Sequence, residues 1–112
     1  MLPFEELDIT KNIKMIEWLK TELLSGVSDL FKVMAAGGKE GVLDILCGII
    51  MSSYLLGKRL GLNFTRIDSH MENKIRLNID KGHEAEKWYG DLTELSQHIK
   101  VNRRKTDFSD PH

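Results

Sequence analysis

The strongest constraint on this chain is a 15-residue run, Val42 to Leu56, that reads VLDILCGIIMSSYLL and is apolar almost throughout. One ionisable residue, Asp44, sits near its start. A carboxylate in a dry segment costs on the order of several kcal/mol unless something compensates it. What Asp44 faces is therefore the central question for the fold. The run is shorter than the ~20 residues that span a bilayer, and it holds Asp44 and two serines. It is expected to be a buried helix, with no membrane involved.

The rest of the composition permits such a core. A chain of 112 residues holds one domain, and 41% hydrophobic with 29% charged residues describes a globular protein. A formal net charge of -1 gives no drive toward nucleic acid or anionic lipid. Cys47 is the only cysteine, so no internal disulfide and no cysteine-based zinc site is available, which suits a reducing cytoplasm. The start, MLPFEELDIT, lacks a basic stretch followed by an apolar one, so no signal peptide is expected.

Helical periodicity runs through the chain. After an extended lead-in over residues 1–8, with Pro3 and Phe4 packed on the bundle end, apolar residues recur in steps of three and four from Ile13 through Ile16, Leu19, Leu23, Val27 and Leu30 to Met34. This first helix should end at Gly37-Gly38, with a break near Ser25-Gly26 as an alternative. The second, about Lys39 to Leu60, should be the most buried, since it is apolar nearly all round. A third starts at Asn63 or Thr65 and carries Phe64, Ile67, Met71 and Ile75. An irregular piece follows at His83 to Gly90. Asp91-Leu-Thr-Glu94 then reads as a capping box opening a last helix to about Val101. The expected architecture is an all-α bundle of four to five helices over residues 1–101, with a flexible tail over 102–112. No strand pattern and no repeat is present.

Two clusters could carry chemistry. Glu22 and Asp29 lie seven apart on the first helix, and Glu40 and Asp44 four apart on the second. Asp29 and Asp44 stand at comparable distances from the Gly37-Gly38 turn, so they could face each other across a groove. Such carboxylates suit a hard divalent cation, Mg²⁺ or Mn²⁺; solvated surface acids are the plainer alternative. The other cluster is Lys74, Arg76, Asn78, Lys81 and His83. Lys74, Asn78 and Lys81 share one helical face and suit phosphate oxygens, with Gly82 allowing close backbone approach. A solvated basic face is the plainer alternative. His70, His98 and His112 have no partner at ligand spacing. Cys47 reads as a small core residue, and the run Asn102 to Lys105 is too short to argue for nucleic acid.

From about Asp8 to Ile99 the layout resembles the MazG-like family of the all-α nucleoside triphosphate pyrophosphohydrolase superfamily. Lys74-x-x-x-Asn78-x-x-Lys81-Gly82 is similar to the family's K-x-x-x-N-x-x-[KR]-G element, which in active members contacts the triphosphate. Gly82-His-Glu-Ala-Glu-Lys-Trp-Tyr-Gly-Asp91 looks like the corresponding segment of a small MazG-like subgroup. Active relatives hold Mg²⁺ through E-E-x-x-E on one helix and E-x-x-D on the next. Here those motifs fall on Ser25-Gly26-Val27-Ser28-Asp29 and Gly41-Val42-Leu43-Asp44, so only Asp29 and Asp44 remain as acids. Glu22 and Glu40 stand nearby as substitute ligands.

The resemblance implies Mg²⁺-dependent hydrolysis of a nucleoside triphosphate to the monophosphate and pyrophosphate. The alternative is a catalytically degenerate relative that binds a nucleotide or a protein partner without turnover; a purely structural helical oligomer is the third reading. The width of the apolar second helix, and the family's habit, point to a homodimer or a higher homo-oligomer.

Overall fold

A computed structural model describes the backbone of residues 4–109 and the side chains of residues 6–102. The fold is all-α: among the described residues there are five helices and no strand, α1 (Phe4–Ala36), α2 (Lys39–Arg59), α3 (Phe64–Asp80), α4 (Glu84–Tyr89) and α5 (Asp91–Ser109). The chain forms two compact units that divide between Phe64 and Thr65.

In the first unit, α1 and α2 pack as an antiparallel hairpin around the Gly37-Gly38 turn. The less exposed positions of α1 are Asn12, Ile16, Leu19, Leu23, Gly26, Leu30 and Val33. Those facing them on α2 are Val42, Ile45, Ile49, Ser52 and Leu56. Both series alternate steps of three and four, the spacing of a coiled-coil seam. Leu19, at its centre, is fully buried. Two close approaches set the register. A Cβ on Gly26 would lie 3.1 Å from Ile49 Cγ1, and one on Gly41 would lie 2.9 Å from Val33 Cγ1. At the open end, Asn12 Nδ2 donates to the Arg59 carbonyl at 3.2 Å. The unit closes on Phe64, whose ring takes Tyr54 edge-on at 5.7 Å and Lys58 Nζ at 5.5 Å from its centroid.

Several expectations change here. α1 begins at Phe4, so Phe4 is helical and not part of an extended lead-in; the packing expected of Pro3 lies outside the described residues. α1 is also unbroken at Ser25-Gly26. The missing side chain of Gly26 serves the approach of Ile49, so what reads as a helix breaker is a contact point. α2 is not a buried helix. Gly57 is its only buried residue, Cys47 is exposed, and Leu43, Ile50 and Met51 are each more than half exposed. Asp44 is exposed as well, so no burial penalty attaches to it. At 21 residues, α2 as a whole is long and apolar enough to cross a membrane by length and composition alone.

In the second unit α3 turns Ile67, Met71, Ile75 and Ile79 inward, with Ile75 buried. The segment expected to be irregular is a short helix, α4. His83 caps it, its Nδ1 accepting from the Ala85 N–H at 3.0 Å. The capping box expected at Asp91 is replaced by a group from the preceding helix. The Glu86 carboxylate accepts from the Thr93 N–H at 2.9 Å and from the Thr93 hydroxyl. These bonds, the hydroxyl's first, hold the Glu86 carboxyl below its ordinary pKa, against a smaller opposing effect of desolvation. α5 then runs to Ser109, beyond the end expected near Val101.

Two outcomes follow. Gly48 meets nothing within 4 Å, so Gly48→Ala should raise the unfolding free energy by about 0.5–1 kcal/mol through helix propensity. Gly26→Leu should lower it by about 1–3 kcal/mol through overpacking against Ile49. Urea unfolding measures both, and equal effects would contradict the seam. Glu86 has a depressed folded-state pKa, so its contribution is present above the unfolded value and lost as pH falls through the folded one. The stability gap between the parent and Glu86→Gln should therefore be open at neutral pH and close in acid below the ordinary glutamate range.

Candidate functional site

The residues expected to carry chemistry fall into one group in each unit. In the first, the seam dictates where the acids sit. A residue one place before a seam position is turned about 100° from it, toward one flank of the helix. Because α1 and α2 run in opposite directions, that flank is the same for both. Glu22 precedes Leu23, Asp29 precedes Leu30, and Asp44 precedes Ile45, so the three acids share one side of the hairpin. The Gly26–Ile49 and Val33–Gly41 contacts put Asp29 and Asp44 within about one turn of each other along the axis. Glu22 lies two turns from Asp29, ~10 Å along the helix. Glu40 lies two places before Val42, which turns it to the outer side of α2, away from α1. All four acids are exposed.

Of the four expected metal ligands, Asp29 and Asp44 thus share one flank of the hairpin at a similar level along it. Among the described residues, no group of three or more His, Cys, Asp or Glu side chains could hold a metal ion. Two carboxylates do fit Mg²⁺ in its usual form, an ion bound through one or two acids that keeps several waters and takes further oxygens from phosphate. Lys32, missed by the reading of the sequence, precedes Val33 and so joins the same flank one turn from Asp29. The signal lies in the spacing, since Lys32 stands at i+3 from Asp29.

In the second unit, Lys74, Asn78 and Lys81 line one cleft of about 350 Å³ along α3. The spacing that suggested a shared face is realised, because the opposite face, Ile67, Met71, Ile75 and Ile79, is the one turned inward. His70, Asn73 and Leu77 complete the lining. His70 stands one turn before Lys74, at phosphate-binding spacing and not at the spacing of a metal-ligand pair. The cleft therefore offers two ammonium groups, two amides and an imidazole, donors suited to phosphate oxygens. Arg76 lies instead on a second cleft of about 350 Å³ between α3 and α5, with Glu72, Thr93 and Lys100. His83 is committed to capping α4. His98 Nε2 lies 3.1 Å from Asn102 Nδ2, and His112 is outside the described residues.

The loop after the cleft is held by Gly82. Its φ of +74° is in the left-handed region, and the Lys87 side chain passes over it, with Cε 2.9 Å from where a Cβ would stand. Lys87 thereby brings a further ammonium to the Lys81-Gly82 turn. Gly82→Ala should be destabilising by about 1–2 kcal/mol through backbone strain and displacement of Lys87. Thermal unfolding of the variant tests this, and an unchanged melting temperature would show that the turn adapts.

Comparison with models of known families matches residues 9–92 to the MazG-like family. Neither the curated proteins nor the solved structures yield a match.

Proposed function

As the chain belongs to the MazG-like family, we propose that it binds the phosphate chain of a nucleoside triphosphate through Lys74, Asn78 and Lys81. The observation that carries this reading is the convergence of those three side chains on one cleft of α3. Lysine supplies mobile point charges, and the asparagine amide supplies a directed donor, so the set grips phosphate without needing one exact pose. His70 and Asn73 extend the same lining toward the rest of the ligand.

A second reading adds turnover: Mg²⁺-dependent hydrolysis to the monophosphate and pyrophosphate. The shared flank and level of Asp29 and Asp44 favour it. Those two carboxylates would hold the ion, which would neutralise phosphate charge and activate water. Glu22 and Glu40, two turns away and on the outer side, leave the ligand set. With two carboxylates where active relatives have more, turnover should be slow compared with a full acidic site.

Thermal melting in Mg²⁺ with a panel of ribo- and deoxyribonucleoside triphosphates tests binding. At least one should raise the melting temperature of the parent, and Lys74→Ala or Lys81→Ala should weaken its affinity about tenfold or more. If none shifts the parent, the binding reading fails. Pyrophosphate release tests turnover. It should fall in Asp29→Asn and Asp44→Asn and be unchanged in Glu40→Gln; release as fast in all three as in the parent would exclude the acids from the reaction.

A further inference from the structure

We propose that the cleft between α3 and α5 is a second binding site, one that takes a small phosphate monoester carrying hydroxyl groups, such as a sugar phosphate. Its walls are two helical stripes. Glu72, Arg76 and Ile79 follow at steps of four and three on α3, and Ser96, Gln97 and Lys100 share one face of α5. None of them lines the cleft of Lys74, Asn78 and Lys81. Arg76 stands two places after Lys74, which turns it about 200° around α3. The two clefts thus open on different sides of one helix. The α5 wall also lies beyond residues 9–92, so the family match does not account for this cleft.

The charges define one end of the ligand. Arg76 and Lys100, one on each wall, are exposed, and among the described residues neither forms an ion pair or a side-chain hydrogen bond. Two cations lining one cleft, with no protein anion bound to either, favour an anion from outside. A guanidinium offers phosphate two parallel N–H donors, and an ammonium adds a mobile point charge. A phosphate monoester carries about 1.5–2 negative charges at neutral pH, which matches the pair.

The remaining groups define the other end. The Ser96 hydroxyl and the Gln97 amide each donate and accept, whereas the Glu72 carboxylate only accepts, and hydroxyls are the ligand donors that suit it. Thr93, on the same wall, is already engaged, its hydroxyl donating to Glu86. Glu72 also repels a ligand that is anionic along its length, so the site selects one phosphate over a phosphate chain. Ile79 gives the carbon skeleton an apolar contact. At about 350 Å³ the cleft is near the lower end of the roughly 300–1,000 Å³ of small-molecule sites, which suits a compact ester better than a whole nucleotide.

NMR titration of the isotope-labelled full chain is the test, with ribose 5-phosphate, glucose 6-phosphate and glycerol 3-phosphate as ligands and with ribose and inorganic phosphate as separate arms. At least one ester should shift the backbone amides of Ser96 to Lys100 in a saturable way. Ribose and inorganic phosphate should each bind at least tenfold more weakly than that ester. Arg76→Gln and Lys100→Gln should each weaken it about tenfold or more. Both side chains are exposed, and unshifted amides elsewhere show that each variant is folded. Lys74→Ala, on the other side of α3, should leave the ester's affinity as it is. Because the shifts are read on α5, the result stands whatever binds at Lys74. No shift on α5 with any ester, inorganic phosphate or ribose binding as tightly as the ester, or full affinity in either glutamine variant would each overturn the proposal. So would loss of binding in Lys74→Ala, which would put the ester in the other cleft.

Discussion

The first unit depends on one close contact, the entry of Ile49 into the space left by Gly26. Without a side chain at residue 26, α1 and α2 can approach until the seam from Asn12 to Val33 interlocks with the seam from Val42 to Leu56. Everything else about the unit follows from that register. It decides which residues flank the seam on one side, and these include three acids. It decides which flank it on the other, and over Leu24–Met34 of α1 and Leu43–Ile50 of α2 these are apolar. A shift of one residue in either helix would rotate each set by about 100° and mix the two. A single glycine thus sorts charge from hydrocarbon along most of two helices.

The helical nature of the chain, the turn at Gly37-Gly38 and the bounds of α2 were legible in the sequence, because periodicity and glycine act locally. The seam of α1 was harder to see. Its apolar stripe is wide enough to include Val27 and Met34, which flank the seam, and Gly26, a seam position, carries no hydrophobic signal at all. Burial of α2 was inferred from composition, but an apolar residue is buried only if something covers it, and composition does not say whether the cover is the same chain. The capping of α5 by Glu86 was invisible for a similar reason. The capping group comes from another helix, seven residues before Thr93, outside the window in which a capping box is sought.

The candidate sites divide in the same way. Lys74, Asn78 and Lys81 share a helix, so their spacing alone was enough to place them on one face. The acids occupy two helices, and their arrangement depends on how those helices meet. Sequence proximity suggested Glu22 and Glu40 as ligands, and the register sets Glu22 two turns from Asp29 and turns Glu40 to the outer side of α2. What the family would supply as glutamate is here Ser25, Gly26 and Gly41. Two of those three, Gly26 and Gly41, are also the points of closest approach between α1 and α2. A glutamate at either would have to displace Ile49 or Val33, so at these positions tight packing of the hairpin and a fuller acidic site exclude each other.

The bond from Asn12 to the Arg59 carbonyl joins residues 47 apart in sequence, whereas Val33 and Gly41, beside the turn, are eight apart. The entropy of closing a loop grows with its length. The hairpin should therefore assemble like a zip, starting at Gly37-Gly38 and reaching Asn12 last. The Asn12 amide then marks the end of the hairpin that opens first and most often, giving the two helices a protected and a fraying terminus although both lie in one continuous seam.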